Sequence, residues 1–359
     1  MHLHGLGLDL TGWFQVLWSA DLPQGQVRPL RYFGRDLVAY RDRRGTVRIH
    51  DRYCQHLGAS LAHGGEVTEE GIRCPFHGWV WGPDGRNVSI PYQDRPNRSR
   101  GLRTWTVREL NESVYVWHDP QGREPMWEVP DALSLTPHAA AATFHPAAEA
   151  GRAHFTGLRV HPQMVAENAV DAEHFRFVHR TQVAPVLIEE VVDGPTWWAR
   201  VGFGRRWAVR VAEGTAPPRD DETLNTIEIL WSGLGVSTNT EHTADGIRVI
   251  AINTTPVEDG RSELFATYWL DSSEGDLEDG SYRRRLDQAK AAVLDDLLIW
   301  DNQVFLDPPT LATVEGRGFR RIRRWAMQFY QPGADGLVHN GPGAATASSQ
   351  GDTEEVRPG

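Results

Sequence analysis

The chain predicts an α+β protein in two parts, a small all-β module followed by a larger domain that mixes an antiparallel sheet with helices. Three observations carry this. Short runs such as "LVAYRD", "TVRIHD", "LRTWTVREL" and "SVYVWHD", divided by "RRG", "GPDG" and "NE" turns, fill residues 27–118. After residue 138 longer strand pairs take over, in "TLNTIEILWSGLGVSTNTEH" and "GIRVIAINTTPVEDGRSELFATYWLD". Finally, residues 281–305 place Leu286, Ala289, Val293, Leu297, Trp300 and Val304 three and four apart, the spacing of an amphipathic helix.

A chain of 359 residues exceeds the size at which one core stops growing, so two domains are expected. Residues 1–26 form an N-terminal segment, 27–118 the β module, and the Pro- and Gly-rich stretch 119–137 a linker. Residues 138–332 form the larger domain. The tail from Gly333 holds too few apolar residues to offset the entropy of ordering and is expected to be disordered.

A net charge of −11 argues against nucleic-acid binding, which needs basic surfaces to neutralise phosphates. No apolar run approaches the ~20 residues of a membrane span. The start "MHLHGLGLDLTGWF" lacks the basic and apolar regions of a secretory signal, so a cytoplasmic location is expected. Two cysteines in a chain of this length do not make a disulfide framework.

Both cysteines lie in "YCQHLGASLAHGGEVTEEGIRCPFHGW". Cys54 and His56 are one residue apart, Cys74 and His77 two, with seventeen residues between His56 and Cys74. Two thiolates and two imidazoles on paired loops can hold a 2Fe-2S cluster with two Cys on one iron and two His on the other. They can also close a zinc tetrahedron, although zinc pairs usually set like ligands together, whereas Cys and His alternate here. "CQHLGA" and "CPFHGW" are similar to the two cluster loops of Rieske proteins. The module resembles the Rieske domain of ring-hydroxylating and related oxygenases. It lacks the extra cysteines that respiratory Rieske proteins carry beside the cluster.

Further on, "MVAENAVDAEHFRFVH" sets out Asp171, His174 and His179 as D-x-x-H-x-x-x-x-H. On a continuous helix His179 would sit roughly 140° from His174, so both can reach one metal only if the helix ends or distorts between them. Taken alone, such a pair is usually helix surface or satisfied core. Two histidines and a carboxylate with open positions form the non-haem Fe(II) triad. The string from Glu167 to His179 resembles the iron motif of Rieske non-haem iron oxygenases. That resemblance implies His174 and His179 as iron ligands, and Asp171 as the bridge between an iron-ligand histidine and a cluster histidine of a neighbouring subunit. Asn168 is a further candidate beside the site.

The third ligand is sought among Asp295, Asp296 and Asp301. Asp296 falls on the apolar face of the 281–305 helix, where an unpaired carboxylate is costly. "DDLLIWDNQ" also resembles the segment that supplies the carboxylate in steroid-hydroxylating members. Asp296 is therefore the expected ligand.

"IPYQDRP", "VWHDPQG" and "RRWAMQFY" extend the resemblance over nearly the whole chain, to the oxygenase component of 3-ketosteroid 9α-hydroxylases. It implies a helix-grip-like catalytic domain, a Rieske cluster, a mononuclear iron, a homotrimer and a hydrophobic, steroid-like substrate that is hydroxylated with O₂. Desaturation, demethylation, oxidative cyclisation and dihydroxylation share these cofactors. A non-catalytic electron carrier is the alternative of a different class. With no G-x-G-x-x-G after a strand, a separate ferredoxin or flavin/iron–sulfur reductase is expected to supply electrons. His63, His118, His145, His154 and His161 have no paired ligand spacing.

Overall fold

In the computed structural model the described residues are 6–204, 225–258 and 260–330. The expectation for the tail from Gly333 lies outside them.

The N-terminal module is built from three small antiparallel sheets. In chain order its strands are β1 (Gly12–Trp18), β2 (Val27–Tyr32), β3 (Arg35–Arg41), β4 (Val47–Asp51), β5 (Glu66–Val67), β6 (Ile72–Arg73), β7 (Val80–Trp81), β8 (Asn87–Ser89), β9 (Val107–Leu110) and β10 (Ser113–His118). They pair in the orders β2-β3-β4, β5-β6-β7-β8 and β1-β10-β9. Strand β1 was not expected from the sequence. All seven of its residues are buried, because it is covered on both faces, and such a strand shows no alternation of apolar and polar residues.

The larger domain carries one seven-stranded antiparallel sheet. Its strands are β11 (Arg152–Leu158), β12 (Val186–Asp193), β13 (Thr196–Gly202), β14 (Thr226–Ser232), β15 (Val236–Thr243), β16 (Gly246–Glu258) and β17 (Arg261–Leu270), in the order β11-β17-β16-β15-β14-β13-β12. The two predicted hairpins are β14–β15 and β16–β17. The helices are α1 (Pro137–Ala141), α2 (Pro162–Glu167), α3 (His174–Phe177), α4 (Ser281–Trp300) and α5 (Gly316–Ala326).

Helix α4 buries Leu286, Ala289, Val293, Leu297 and Trp300 against the sheet, the stripe that the spacing predicts. It ends at Trp300 rather than residue 305, and Val304 is exposed. Asp301 takes the C-cap position, and its Oδ1 accepts the backbone N–H of Arg159 at 2.8 Å. That bond ties the chain after α4 to the end of β11 instead of continuing the helix.

The two parts pack through β1. Asn253 on β16 donates from Nδ2 to Oε1 of Gln15 at 2.8 Å, and Trp18 donates from Nε1 to Oγ1 of Thr267 at 3.0 Å. Gly235, in the β14–β15 turn, meets this strand so closely that a Cβ there would lie 2.3 Å from the Trp13 carbonyl oxygen. The stretch expected as a linker is itself held down. Trp13 donates to the Trp127 carbonyl at 2.7 Å, and the Trp127 ring packs edge-on to Trp117.

Candidate active site

The cysteines sit at the start of two loops with matching backbone bonds. Gly58 N–H donates to the Cys54 carbonyl at 2.9 Å, and Gly78 N–H to the Cys74 carbonyl at 3.0 Å. Cys54 N–H donates to Ala59 O, and Cys74 N–H to Trp79 O, at 2.9 and 2.8 Å. Both glycines adopt left-handed φ, 76° and 71°, which side chains disfavour. At Gly78 a Cβ would also lie 2.8 Å from Cγ of Pro91, so a third loop closes over the pair.

This framework brings the four side chains together. Both cysteines are buried and unbridged, and the His56 and His77 rings are 4.7 Å apart. Trp79 stacks on His56 at 4.4 Å, and Trp81 donates from Nε1 to the Cys54 sulfur at 3.3 Å. Burial pushes the Cys54 thiol up, and the neighbouring Cys74 adds to that. The His77 Nδ1 is buried without a partner. Two buried thiols side by side and an orphaned imidazole nitrogen suit a positively charged metal group, which would hold the thiolates ionised.

The second constellation forms because the helix breaks where the sequence requires it to. Helix α2 ends at Glu167, a tight turn follows over 168–170, and Asp171 has a non-helical backbone at φ −91°, ψ 85°. Helix α3 then lasts only four residues, so His179 lies beyond it. His174 and His179 thereby face Asp296 of α4. Their ligand atoms all lie within 4.8 Å of one another, with His179 Nε2 at 3.4 Å from Asp296 Oδ1. Among the described residues this is the one group of three or more such donors gathered tightly enough for a single ion. The four cluster-loop donors do not converge on one point in that way, as a zinc tetrahedron would require.

Asp171 acts on His174 twice. Its Oδ1 accepts the His174 backbone N–H at 3.2 Å, and its main-chain carbonyl faces His174 Nδ1. A carbonyl can only accept, so Nδ1 carries the proton and Nε2 is left free for a metal. Burial pulls the His174 pKa down. Burial pulls on His179 too, but the Asp296 carboxylate, helped by Asp295 and Glu241, outweighs it and the pKa rises. His179 Nδ1 is buried without a partner. An acid, two imidazoles and open space beside them suit a mononuclear iron. Asp295 is exposed and Asp301 is engaged with Arg159, so neither joins the triad.

Beside the triad lies a cavity of about 310 Å³ between α4 and one face of the sheet. Its apolar wall includes Phe175, Ile227, Ile229, Trp231, Ile250 and Trp300, with Asn168 at the edge of the iron motif. Of the two hairpin tryptophans, Trp231 lines this cavity. Trp269 is buried in a separate cluster and donates to Glu112 at 2.9 Å.

A role hidden in the sequence belongs to Glu167, the first residue of the iron motif. Arg323 grips it in a fork, Nε and Nη2 each at 2.9 Å from its carboxylate, and Gln163 adds a bond at 3.1 Å. The other histidines are accounted for locally. His63 meets Ser60, His145 meets Asp276, and His154 meets Glu263. His161 caps α2, while His118 stacks on Phe33 and is held at about 4 by burial.

Fold and site together define a Rieske non-haem iron oxygenase, an oxidoreductase with a 2Fe-2S cluster and a mononuclear iron. Residues 12–110 match the Rieske [2Fe-2S] domain, and residues 116–330 match the 3-ketosteroid 9alpha-hydroxylase C-terminal domain. The chain belongs to that family. It is 28% identical over 331 residues to the oxygenase component of a 3-ketosteroid-9-alpha-monooxygenase of Rhodococcus rhodochrous, covering 89% of this chain and 80% of the relative. A cholesterol 7-desaturase of Bombyx mori is 28% identical over 331 residues, covering 89% and 69%. Among solved structures, NdmA of Pseudomonas putida CBB5 with caffeine shares the fold at TM-score 0.64 and 14% identity, over 88% of this chain and 89% of that one. Dicamba monooxygenase bound to dicamba does so at 0.59 and 17%, over 89% and 98%. Among the described residues no helix is long and apolar enough to cross a membrane.

Proposed function

We propose that this chain is the terminal oxygenase of a multi-component monooxygenase that hydroxylates a bulky, apolar, steroid-like substrate. Cys54, His56, Cys74 and His77 hold the cluster, and His174, His179 and Asp296 hold the iron. When bound, the cluster supplies electrons singly and the iron activates O₂. The chain's own residues do the rest. Asp171 fixes the tautomer of His174, Glu167 and Arg323 brace the segment that presents both histidines, and the apolar wall excludes water and orients the substrate. The observation that carries this reading is the opening of the three-ligand group directly onto a cavity whose exposed surface is mostly apolar. A ferredoxin or a flavin/iron–sulfur reductase supplies the electrons.

The assembly is a homotrimeric ring in which Asp171 faces the neighbour's cluster. Within one chain the ring contacts of His56 and His77 run to Trp79, Phe76 and each other, and those of His174 and His179 to Phe175 and each other. Two exposed apolar patches support the ring. Leu57 follows His56 in the chain, Phe76 packs on His77 and Tyr92 accepts from Trp79, while Phe177, Val183 and Leu187 follow Asp171 along the chain. Exposed apolar clusters of this kind mark contact surfaces. Sedimentation showing a fully active monomer would remove the ring.

Desaturation is the second reading, favoured by the relatives named as cholesterol 7-desaturases. Turnover of a steroid panel with a ferredoxin–reductase pair separates the two: the product gains one oxygen or loses two hydrogens. His174→Ala is expected to abolish turnover while the cluster's EPR signal stays unchanged. Retained turnover in that variant would move the chemistry elsewhere, and loss of no function at all would favour a simple electron carrier.

A further inference from the structure

We propose that Asn239 is a specificity-determining residue whose carboxamide hydrogen-bonds a carbonyl or hydroxyl oxygen on an otherwise apolar substrate. The inference rests on the steroid-like substrate class proposed above and deepens it. It comes from the way the sheet face is used.

Register places Asn239 directly between Ile229 on β14 and Ile250 on β16, and all three line the cavity. The rows on either side are Trp231 with Ser237, and Ile227 with Glu241 and Arg248. Thr226 and His242, at alternate positions, also border the cavity; on the face that carries Asn239 the strands offer four polar or charged side chains on β15, at 237, 239, 241 and 243, and one on β16, Arg248. Four of these five are engaged within the protein. Ser237 donates to the Ile252 carbonyl at 2.6 Å, Thr243 donates to Gly246 O at 3.0 Å, and Glu241 is paired with Arg248.

Asn239 is different. Among the described residues its side chain makes no hydrogen bond, although it is half-buried and flanked across both strands by isoleucine. An amide carries two donors and an acceptor with two lone pairs, and leaving these unmet in an apolar wall is unfavourable. A β-branched or aromatic residue would suit the position better if it served only the sheet. The geometry fits a ligand that brings one polar atom to that point of the wall and apolar surface elsewhere. The carboxamide can donate to a carbonyl oxygen or accept from a hydroxyl, so it reads the presence of the oxygen and not its oxidation state.

The test is calorimetric binding to the iron- and cluster-loaded protein, read without turnover. The probes are 5α-androstane, 5α-androstan-3-one and 5α-androstan-17-one, delivered from cyclodextrin. At least one ketone is expected to bind about tenfold more tightly than the hydrocarbon, and Asn239→Leu should remove that preference while leaving the hydrocarbon's affinity unchanged. Asn239→Asp, which keeps the acceptor but loses the donors, should weaken the ketone and spare an alcohol, 5α-androstan-3-ol. If ketone and hydrocarbon bind the parent protein equally, or if Asn239→Leu keeps the preference, the role of Asn239 is overturned and the steroid reading stands. If no probe binds the parent protein, the steroid reading falls and the inference with it.

Discussion

The two regions proposed to hold metal in this protein are built in opposite ways. In the Rieske module the four donors come from two neighbouring loops, each shaped by its own backbone bonds and a left-handed glycine. At the proposed iron site two donors come from a broken helical segment and the third from α4, more than a hundred residues later. The first site is local and the second is assembled by tertiary packing. A defect in the cluster loops should therefore act on its own module, whereas the iron site should also be vulnerable through residues that never touch it.

The harshest way to test the contrast is Cys54→Ser. It removes one of the two sulfurs at the centre of the small buried cluster formed by Val38, Tyr40, Leu61, Trp81 and Leu102. Acid-labile sulfide and visible absorbance are expected to vanish, turnover to fall to background, and the module to lose thermal stability, because metal binding here is also folding energy. Sulfide content close to that of the parent protein would show that Cys54 is not a ligand.

Asp296→Asn strikes the non-local site instead. Iron content and turnover should fall more than about 100-fold, beyond the usual cost of losing a residue that only supports a ligand, while sulfide and the cluster signal persist. Asp295→Asn and Asp301→Asn should retain iron. Iron analysis of the three variants side by side decides among the carboxylates, and iron loss in Asp301→Asn alone would transfer the role to it.

How far each site can be read from the sequence follows from the same contrast. Cys54, His56, Cys74 and His77 are legible because their spacing is their geometry. His174 and His179 are legible only with the condition that the helix breaks, and the turn at 168–170 with the Asp171 backbone meets it. Asp296 could be singled out because a carboxylate on a buried stripe needs a partner, and the structure brings it to His179. Asn239, Glu167 with Arg323, and strand β1 gave no comparable signal. The first depends on cross-strand register, the second on a pair 156 positions apart, and the third on burial from both sides. Arg323 lies in "RRWAMQFY", whose resemblance to relatives could be seen without any sign of what it touches.

That hidden pair gives the next prediction. Glu167 is buried, and the fork from Arg323 neutralises it. Arg323→Met leaves the carboxylate stranded and should cost about 3 kcal/mol of stability, since removing one partner of a buried pair is worse than never having had the pair. Chemical denaturation checks the loss. Because Glu167 begins the segment that presents His174 and His179, iron affinity should drop in the folded variant while the sulfide content does not change. A matching loss of sulfide would mean that the two regions are not independent in the way their construction implies.

The mildest test concerns the clasp between the regions. Glu112, in the β9–β10 turn of the module, accepts the Ala147 backbone N–H and the Trp269 indole N–H through Oε1, each at 2.9 Å, and pairs with Arg152 through Oε2 at 3.1 Å. Burial works to raise its pKa, but these three bonds outweigh that and hold it below the usual glutamate value. A carboxyl whose folded pKa is depressed stabilises the fold above its unfolded pKa and loses that contribution as pH falls through the folded one. Glu112→Gln keeps the acceptor oxygen but removes the charge, and should cost about 1 kcal/mol at pH 7. The difference from the parent protein should shrink as the pH drops below the ordinary glutamate range and disappear once Glu112 is protonated in the folded state as well. Denaturation midpoints of both proteins across that interval check the sign. A gap that widened toward acid would mean that the clasp is held by the neutral acid, and that the ion pair with Arg152 contributes nothing to joining the module to the domain that carries the iron.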